Sequence, residues 1–238
     1  MDIYDRNFAN MVHYFLDNIC PPFLRDSKYF IYPLMRFAYG REAKLLLEFK
    51  EKFPFMSDSE LAEYYRRIVN IPIHVKRKVD INNASLEYIL KNVCDITGKI
   101  LDVGFGGGYL LNEIAQLNPN VQCHGADFVV RAVQYATPVV VHEVDITNMP
   151  FPDHSFDMVL CTHVLEHLRE PHKALKELIR VTKKRLIIVV PNQREYKYTI
   201  DFHVNFYPYI YSFKRFIGIE NAVYLDLKGD FLCRVDFD

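Results

Sequence analysis

Residues 100–117 carry the stretch best suited to hold a ligand. They read Ile-Leu-Asp-Val-Gly-Phe-Gly-Gly-Gly-Tyr-Leu-Leu-Asn-Glu-Ile-Ala-Gln-Leu, and four of the nine glycines of the chain fall at 104, 106, 107 and 108. The apolar run 100–103 predicts a buried strand, and Leu110, Leu111, Ile114 and Leu117 recur at helical spacing. The segment is therefore strand, glycine turn, helix. Glycines let a backbone approach a ligand closely. The helix behind them offers unpaired N–H groups and the positive end of its dipole. A polar or anionic group held against backbone amides is the chemistry this pattern provides.

Asp102 precedes the glycines, so the pattern is Asp102-x-Gly104-x-Gly106-x-Gly108. It resembles the first motif of the class I S-adenosylmethionine-dependent methyltransferases. There the loop carries the methionine end and ribose of the cofactor. Further on, 149–157 reads Met-Pro-Phe-Pro-Asp-His-Ser-Phe-Asp, similar to the segment that leads into the fourth strand of that family. Val-Leu-Glu-His-Leu at 164–168 resembles its small-molecule subgroup. The resemblance runs from about residue 99 to 192 and more weakly to the C-terminus. It implies S-adenosyl-L-methionine as cofactor, S-adenosyl-L-homocysteine as product, and a Rossmann-like fold.

Ligands of such folds lie beyond the carboxyl ends of the parallel strands. Asp127 closes the second strand, where a carboxylate accepts from both ribose hydroxyls; as an alternative it caps a helix. Phe128 beside it would pack on the adenine. The resemblance assigns Asp145 to the adenine amino group and Ile146 to the ring; Asp145 also suits a local turn. Thr162, with Cys161 and His163, closes the fourth strand over the cofactor. His163 and His203 are the candidate catalytic residues, since imidazole titrates near neutrality and can take a proton from a hydroxyl or amine. A packed, hydrogen-bonded histidine is the other reading of His163, and His203 follows the fifth strand on the expected substrate side.

His163-Val-Leu-Glu166-His167 also spells a zinc-peptidase pattern. That site needs both histidines on one helix face, whereas His163 is expected at a strand end, so no metal is assigned. A nicotinamide-linked oxidoreductase shares the glycine pattern but predicts no terminal hairpin. A non-catalytic S-adenosylmethionine-binding regulatory domain is a further alternative.

The elements that must position these residues alternate from residue 81 onward, which signals a parallel α/β sheet. Strands are expected at 100–103, 122–126, 139–143, 158–161 and 186–190. Helices are expected at 85–93, 109–117, 129–136, 164–168, 171–182 and 207–218, the first starting near Asn83 or Ala84. Segments 223–227 and 231–236 flank Lys228-Gly229-Asp230 and predict an antiparallel hairpin. The expected fold is α/β, a Rossmann-like, mostly parallel seven-stranded sheet ending in that hairpin, over 81–238.

Residues 1–80 read as an α-helical extension, with helices at 8–18, 27–39, 41–53 and 59–69. It holds 15 of the 34 Phe and Tyr residues in its first 65 positions, with Arg25, Lys28, Arg36 and Arg41 among them. It is expected either to pack structurally or to act as a lid that walls the acceptor. At low specificity it resembles extensions of methyltransferases of bacterial capsule and surface-polysaccharide synthesis. That resemblance implies a nucleotide-linked sugar or phosphoramidate acceptor, methylated on O or N.

The chain has 238 residues with 29 basic and 30 acidic side chains. This balance argues against a dedicated nucleic-acid binder. No apolar run reaches the 18 residues of a membrane span, and the opening residues lack signal-peptide character. The five cysteines show no zinc spacing or disulfide framework. Buried free thiols, a cytoplasmic location and a small-molecule partner are the expectations; oligomeric state is not legible.

Overall fold

The computed structural model describes residues 6–68, 79–130, 138–198 and 201–237. The chain divides into two compact units, one of Met1–Lys78 with Gln193–Pro208, the other of Val79–Asn192 with Tyr209–Asp238.

The second unit is built on a seven-stranded sheet: β1 Gly98–Val103, β2 Val121–Asp127, β3 Val139–Glu143, β4 Phe156–Thr162, β5 Thr182–Pro191, β6 Val223–Asp226 and β7 Asp230–Asp236. The strand order is β3-β2-β1-β4-β5-β7-β6. All pairings from β3 to β5 are parallel, and β7 pairs antiparallel with both β5 and β6. This is the expected Rossmann-like sheet with its terminal hairpin. The central strands are buried on both faces, which is why they read as continuous apolar runs. Ile100, Met158, Leu160, Ile187 and Leu232 are fully buried, joined by Leu111 and Ile114 of the helix Tyr109–Leu117. Strand order reverses between β1 and β4, so their carboxyl ends open the crevice where such folds take ligands.

Several boundaries differ from the sequence expectation. The helix expected at 85–93 with its start near Asn83 or Ala84 is Asn83–Lys91: it begins at Asn83, where Asn82 caps it by accepting from Ser85 N at 2.9 Å, and ends before the expected Val93. Residues 164–168 form only a 3-10 turn, Leu165–His167. The helix after it, Pro171–Val181, stops one residue early, and Thr182 opens β5 instead. The helix expected at 207–218 is Ile210–Ile217. The helix expected at 129–136 falls largely outside the described residues.

The helical unit contains Arg6–Asn18, Pro22–Arg25, Lys28–Tyr39, Ala43–Lys52 and Asp58–Ile68. A capping box opens the helix Asp58–Ile68: Ser57 N donates to Glu60 Oε2 at 2.7 Å, and Glu60 N to Ser57 Oγ at 3.3 Å. Its core is rich in aromatic rings, with Tyr39, Phe49 and Phe53 buried beside Ile31, Met35 and Leu46. Residues 193–208 contribute to that core. Phe202 meets Phe49 edge-on at 4.8 Å, and Tyr196 OH donates to Asp17 Oδ1 at 2.6 Å. Nothing in the sequence signalled this return segment, since its contacts join residues more than 140 positions apart.

All five cysteines are free; Cys94 is exposed rather than buried. Among the described residues no helix is long and apolar enough to cross a membrane.

Candidate functional site

The glycine turn connects β1 to the helix Tyr109–Leu117. Gly104 N donates to Ala126 O at 2.7 Å, which extends the parallel ladder by one bond. Gly104 has φ +73, and a Cβ there would lie 2.1 Å from Val164 Cγ2. Only glycine meets both conditions. Gly108 is left-handed and provides no side-chain cap to its helix. A Cβ on Gly107 would meet nothing within 4 Å, so the turn has open space beside it. Phe105, by contrast, is buried against Gly125 of β2, where a Cβ would come within 2.7 Å of the ring. A glycine inside a strand commonly accompanies such a close approach.

Asp127 ends β2 and reaches across to the turn. Its Oδ2 accepts from Gly106 N at 3.0 Å and its Oδ1 from Val129 N at 3.3 Å. The carboxylate therefore ties the end of β2 to the glycine turn that follows β1. Phe128 is half-buried beside it. Asp145 Oδ1 accepts from Thr147 N at 2.8 Å and Thr147 Oγ1 at 2.9 Å. This is the local turn weighed for it from sequence, and it leaves Oδ2 as the oxygen for any further acceptor role. Ile146 is buried. Thr162 closes β4, half-buried, in register with Val189.

Asp102 lies in β1 and is 2% exposed. Its Oδ1 makes no hydrogen bond among the described residues. Burial, and then the charge of Asp127, push its carboxyl up to about 8. A buried carboxyl oxygen without a partner beside an open glycine turn fits a cationic ligand group, and the amino-acid end of S-adenosylmethionine carries an ammonium. The residues present thus suit that cofactor: backbone amides and Asp102 for its amino-acid end, Asp127 for its sugar, Ile146 and Phe128 for an apolar ring.

The two candidate catalytic histidines fall in different units. His163 follows β4 with φ +53, and its N donates to Val189 O at 2.9 Å. Its Nε2 lies 3.1 Å from Asp230 Oδ1 and its Nδ1 3.5 Å from Glu166 Oε1. Asp230 and Glu166 are both fully buried, and burial raises the Glu166 carboxyl above its usual range. Asp230, from the first position of β7, was missed from sequence because it reads there as a hairpin residue. The zinc-peptidase pattern does not form a helix face: His163 sits in a left-handed backbone position before the 3-10 turn that carries Glu166 and His167. The terminal hairpin counts against the nicotinamide-linked alternative. His203 is buried in the helical unit, its Nδ1 paired with Gln193 Oε1.

Residues 101–190 match the methyltransferase domain family. Ajmaline N-methyltransferase of Rauvolfia serpentina is 30% identical over 101 residues, covering 38% of this chain and 34% of that protein. A ubiquinone biosynthesis O-methyltransferase of Alkalilimnicola ehrlichii is 30% identical over 122 residues, covering 47% of each. The chain thus spans about half or less of the length of these relatives. Among solved structures, the Pyrococcus horikoshii protein PH0226 superposes with a TM-score of 0.53 at 18% identity, covering 74% of this chain and 99% of that one. A S-adenosylmethionine-dependent methyltransferase from Aquifex aeolicus gives 0.50 at 21% identity, covering 64% and 89%. In sheet order, in its glycine turn and in the matched segment 101–190, the sheet unit is similar to the class I S-adenosylmethionine-dependent methyltransferases.

Proposed function

We propose that the protein transfers a methyl group from S-adenosylmethionine to an oxygen or nitrogen of a small polar acceptor. The observation that carries this reading is the carboxylate pair at the switch in strand order: Asp127 tied to Gly106 N, and buried Asp102 with an oxygen unpaired among the described residues. When bound, the cofactor supplies a methyl group on a positively charged sulfur, a good leaving group that calls for no metal.

The chain's own part is binding and orientation. The glycine turn presents backbone N–H groups, and the uncapped start of the helix Tyr109–Leu117 adds more. Asp127 places negative charge beside the cofactor's sugar, and Asp102, which holds its proton to about 8 without a ligand, is proposed to ionise against the cofactor's ammonium. Asp145 Oδ2 and Ile146 are proposed to face the adenine. Most of the rate would then come from alignment of acceptor and methyl in a dry site. For the acceptor's proton, His203 is the base to test first, supported by a ring oriented through Gln193. His163, with both ring nitrogens toward carboxylates, is better suited to orienting than to accepting a proton.

The relatives are named for N- and for O-methylation, which supports an O or N acceptor without choosing. A nucleotide-linked sugar or phosphoramidate of capsular or surface-polysaccharide synthesis is the first acceptor class to assay, supported by exposed Arg36 and Arg41 in the aromatic helical unit. Arg25 is excluded from this set, because it packs over the Tyr196 ring at 5.0 Å. The free cysteines suit a reducing, cytoplasmic setting.

Calorimetric titration tests the reading directly. Both S-adenosylmethionine and S-adenosylhomocysteine should bind the full chain, and Asp127→Ala should weaken both by about tenfold or more through lost charged hydrogen bonds. No heat with either ligand would sink the assignment.

A further inference from the structure

The buried polar groups that the proposed chemistry leaves unused lie behind the glycine turn. Asp230 is fully buried at the start of β7. Its Oδ2 accepts from Asn82 N and from Ser85 Oγ, each at 2.8 Å. Its Oδ1 faces His163 Nε2 at 3.1 Å. The carboxylate is thus held on one side by the capped start of helix Asn83–Lys91 and reaches the end of β4 on the other.

His163 holds a backbone position uncommon for residues with a side chain. A left-handed φ costs a non-glycine residue roughly 1–2 kcal/mol, so the surrounding contacts must hold it there. The ring bond to Asp230 and the N–H bond to Val189 O do so. The next residue, Val164, is the one that Gly104 meets so closely that a Cβ would fall 2.1 Å from its Cγ2. The contacts therefore run without a break from Asp230 to His163, through one peptide bond to Val164, and onto the first glycine of the turn.

We propose that Asp230 and His163 are positioning residues for the cofactor turn: their buried contact sets the place of Val164, and Val164 sets the place of Gly104. The pair thereby links the terminal hairpin to cofactor affinity, although neither residue belongs to the glycine motif. The orientation is specific. A carboxylate at Oδ1 only accepts, so the Nε2 atom that faces it carries the hydrogen. Asn82 N and Ser85 Oγ, both donors to Oδ2, keep Asp230 from turning away. Replacement of Asp230 by an amide sets an NH2 group against those donors or against His163 Nε2–H, because an amide has only one accepting oxygen.

This inference rests on the glycine turn being a cofactor site, and its test reports on that separately. S-adenosylhomocysteine is titrated into the full chain by calorimetry, with thermal melting of each variant alongside. The variants are Asp230→Asn, His163→Asn, Val164→Ala and, as a core truncation outside this chain of contacts, Leu178→Ala. Asparagine tolerates the left-handed backbone, so His163→Asn removes the tether to Asp230 while keeping the turn's local geometry accessible. Asp230→Asn, His163→Asn and Val164→Ala are each expected to weaken binding about tenfold or more, as displacements of a site by fractions of an ångström do. Asp230→Asn with Val164→Ala is expected to lose little beyond the larger single effect, since residues acting through one path are not additive. Leu178→Ala should melt earlier and bind within about twofold of the parent.

Equal weakening by Leu178→Ala at matched loss of melting temperature would overturn the proposal in favour of general destabilisation. So would parent-like affinity in folded His163→Asn, which keeps the test decisive if Asp230→Asn fails to fold. If the parent chain itself binds no S-adenosylhomocysteine, the methyltransferase reading fails first, and this inference with it.

Discussion

The two units use apolar residues in opposite ways. In the sheet unit, β1, β4 and β5 bury aliphatic side chains on both faces, and the strand ends hold Asp102, Gly104, Asp127 and His163 in fixed places. In the helical unit, the core is aromatic, and much apolar surface stays outside: Phe23 is 76% exposed, Tyr29 81%, Phe37 73% and Phe55 87%. Scattered exposed apolar residues are ordinary, but several on one short stretch call for a role. A rigid parallel sheet places a few polar atoms accurately, whereas an aromatic helical surface offers broad, adaptable contact.

The sharpest way to break the comparison is at Gly104. Gly104→Ala puts a methyl group 2.1 Å from Val164 Cγ2 at φ +73. Left-handed strain and overpacking together cost about 2–5 kcal/mol. If the turn yields, cofactor affinity falls roughly 30-fold or more, read by calorimetry; an alanine variant that binds like the parent would show that the turn is not the cofactor cradle.

The matching change in the helical unit is Phe49→Ala. Phe49 is 1% exposed and touches Phe53, Tyr64 and Phe202. Its removal should cost about 3–5 kcal/mol, seen as faster hydrogen exchange across Ala43–Lys52 with little change in S-adenosylhomocysteine affinity. A collapse of cofactor binding would mean that the two regions do not divide the work in this way.

Asp102→Asn sharpens the contrast with a smaller effect. The native carboxyl holds its proton to about 8, while the unfolded one gives it up near 4. Between those values the folded state binds more protons than the unfolded state, so stability falls as pH rises, by at most about 1.4 kcal/mol per pH unit. The asparagine variant should lose that slope and be the more stable apo protein at pH 8, yet bind the cofactor's ammonium more weakly. Denaturant melts from pH 5 to 8 check the first point; parallel slopes in parent and variant would show Asp102 ionised throughout.

The sequence alone determined the sheet, the glycine turn and the terminal hairpin. Each rests on local periodicity or on glycine chemistry: the run 100–103, the spacing Gly104-x-Gly106-x-Gly108, the Lys228-Gly229 turn. It also named Asp127 from its place at a strand end, and Asp145 through the family resemblance. Tertiary structure alone decided what those residues face. Asp127 bonds Gly106, Asp145 closes a turn on Thr147, and His163 meets Asp230, a partner 67 positions away. It also decided that residues 193–208 build the helical core with Phe49 and Asp17. Hydrogen-bond partners and packing neighbours come from chain segments distant in sequence, and no local pattern encodes a meeting that only the folded sheet and core bring about.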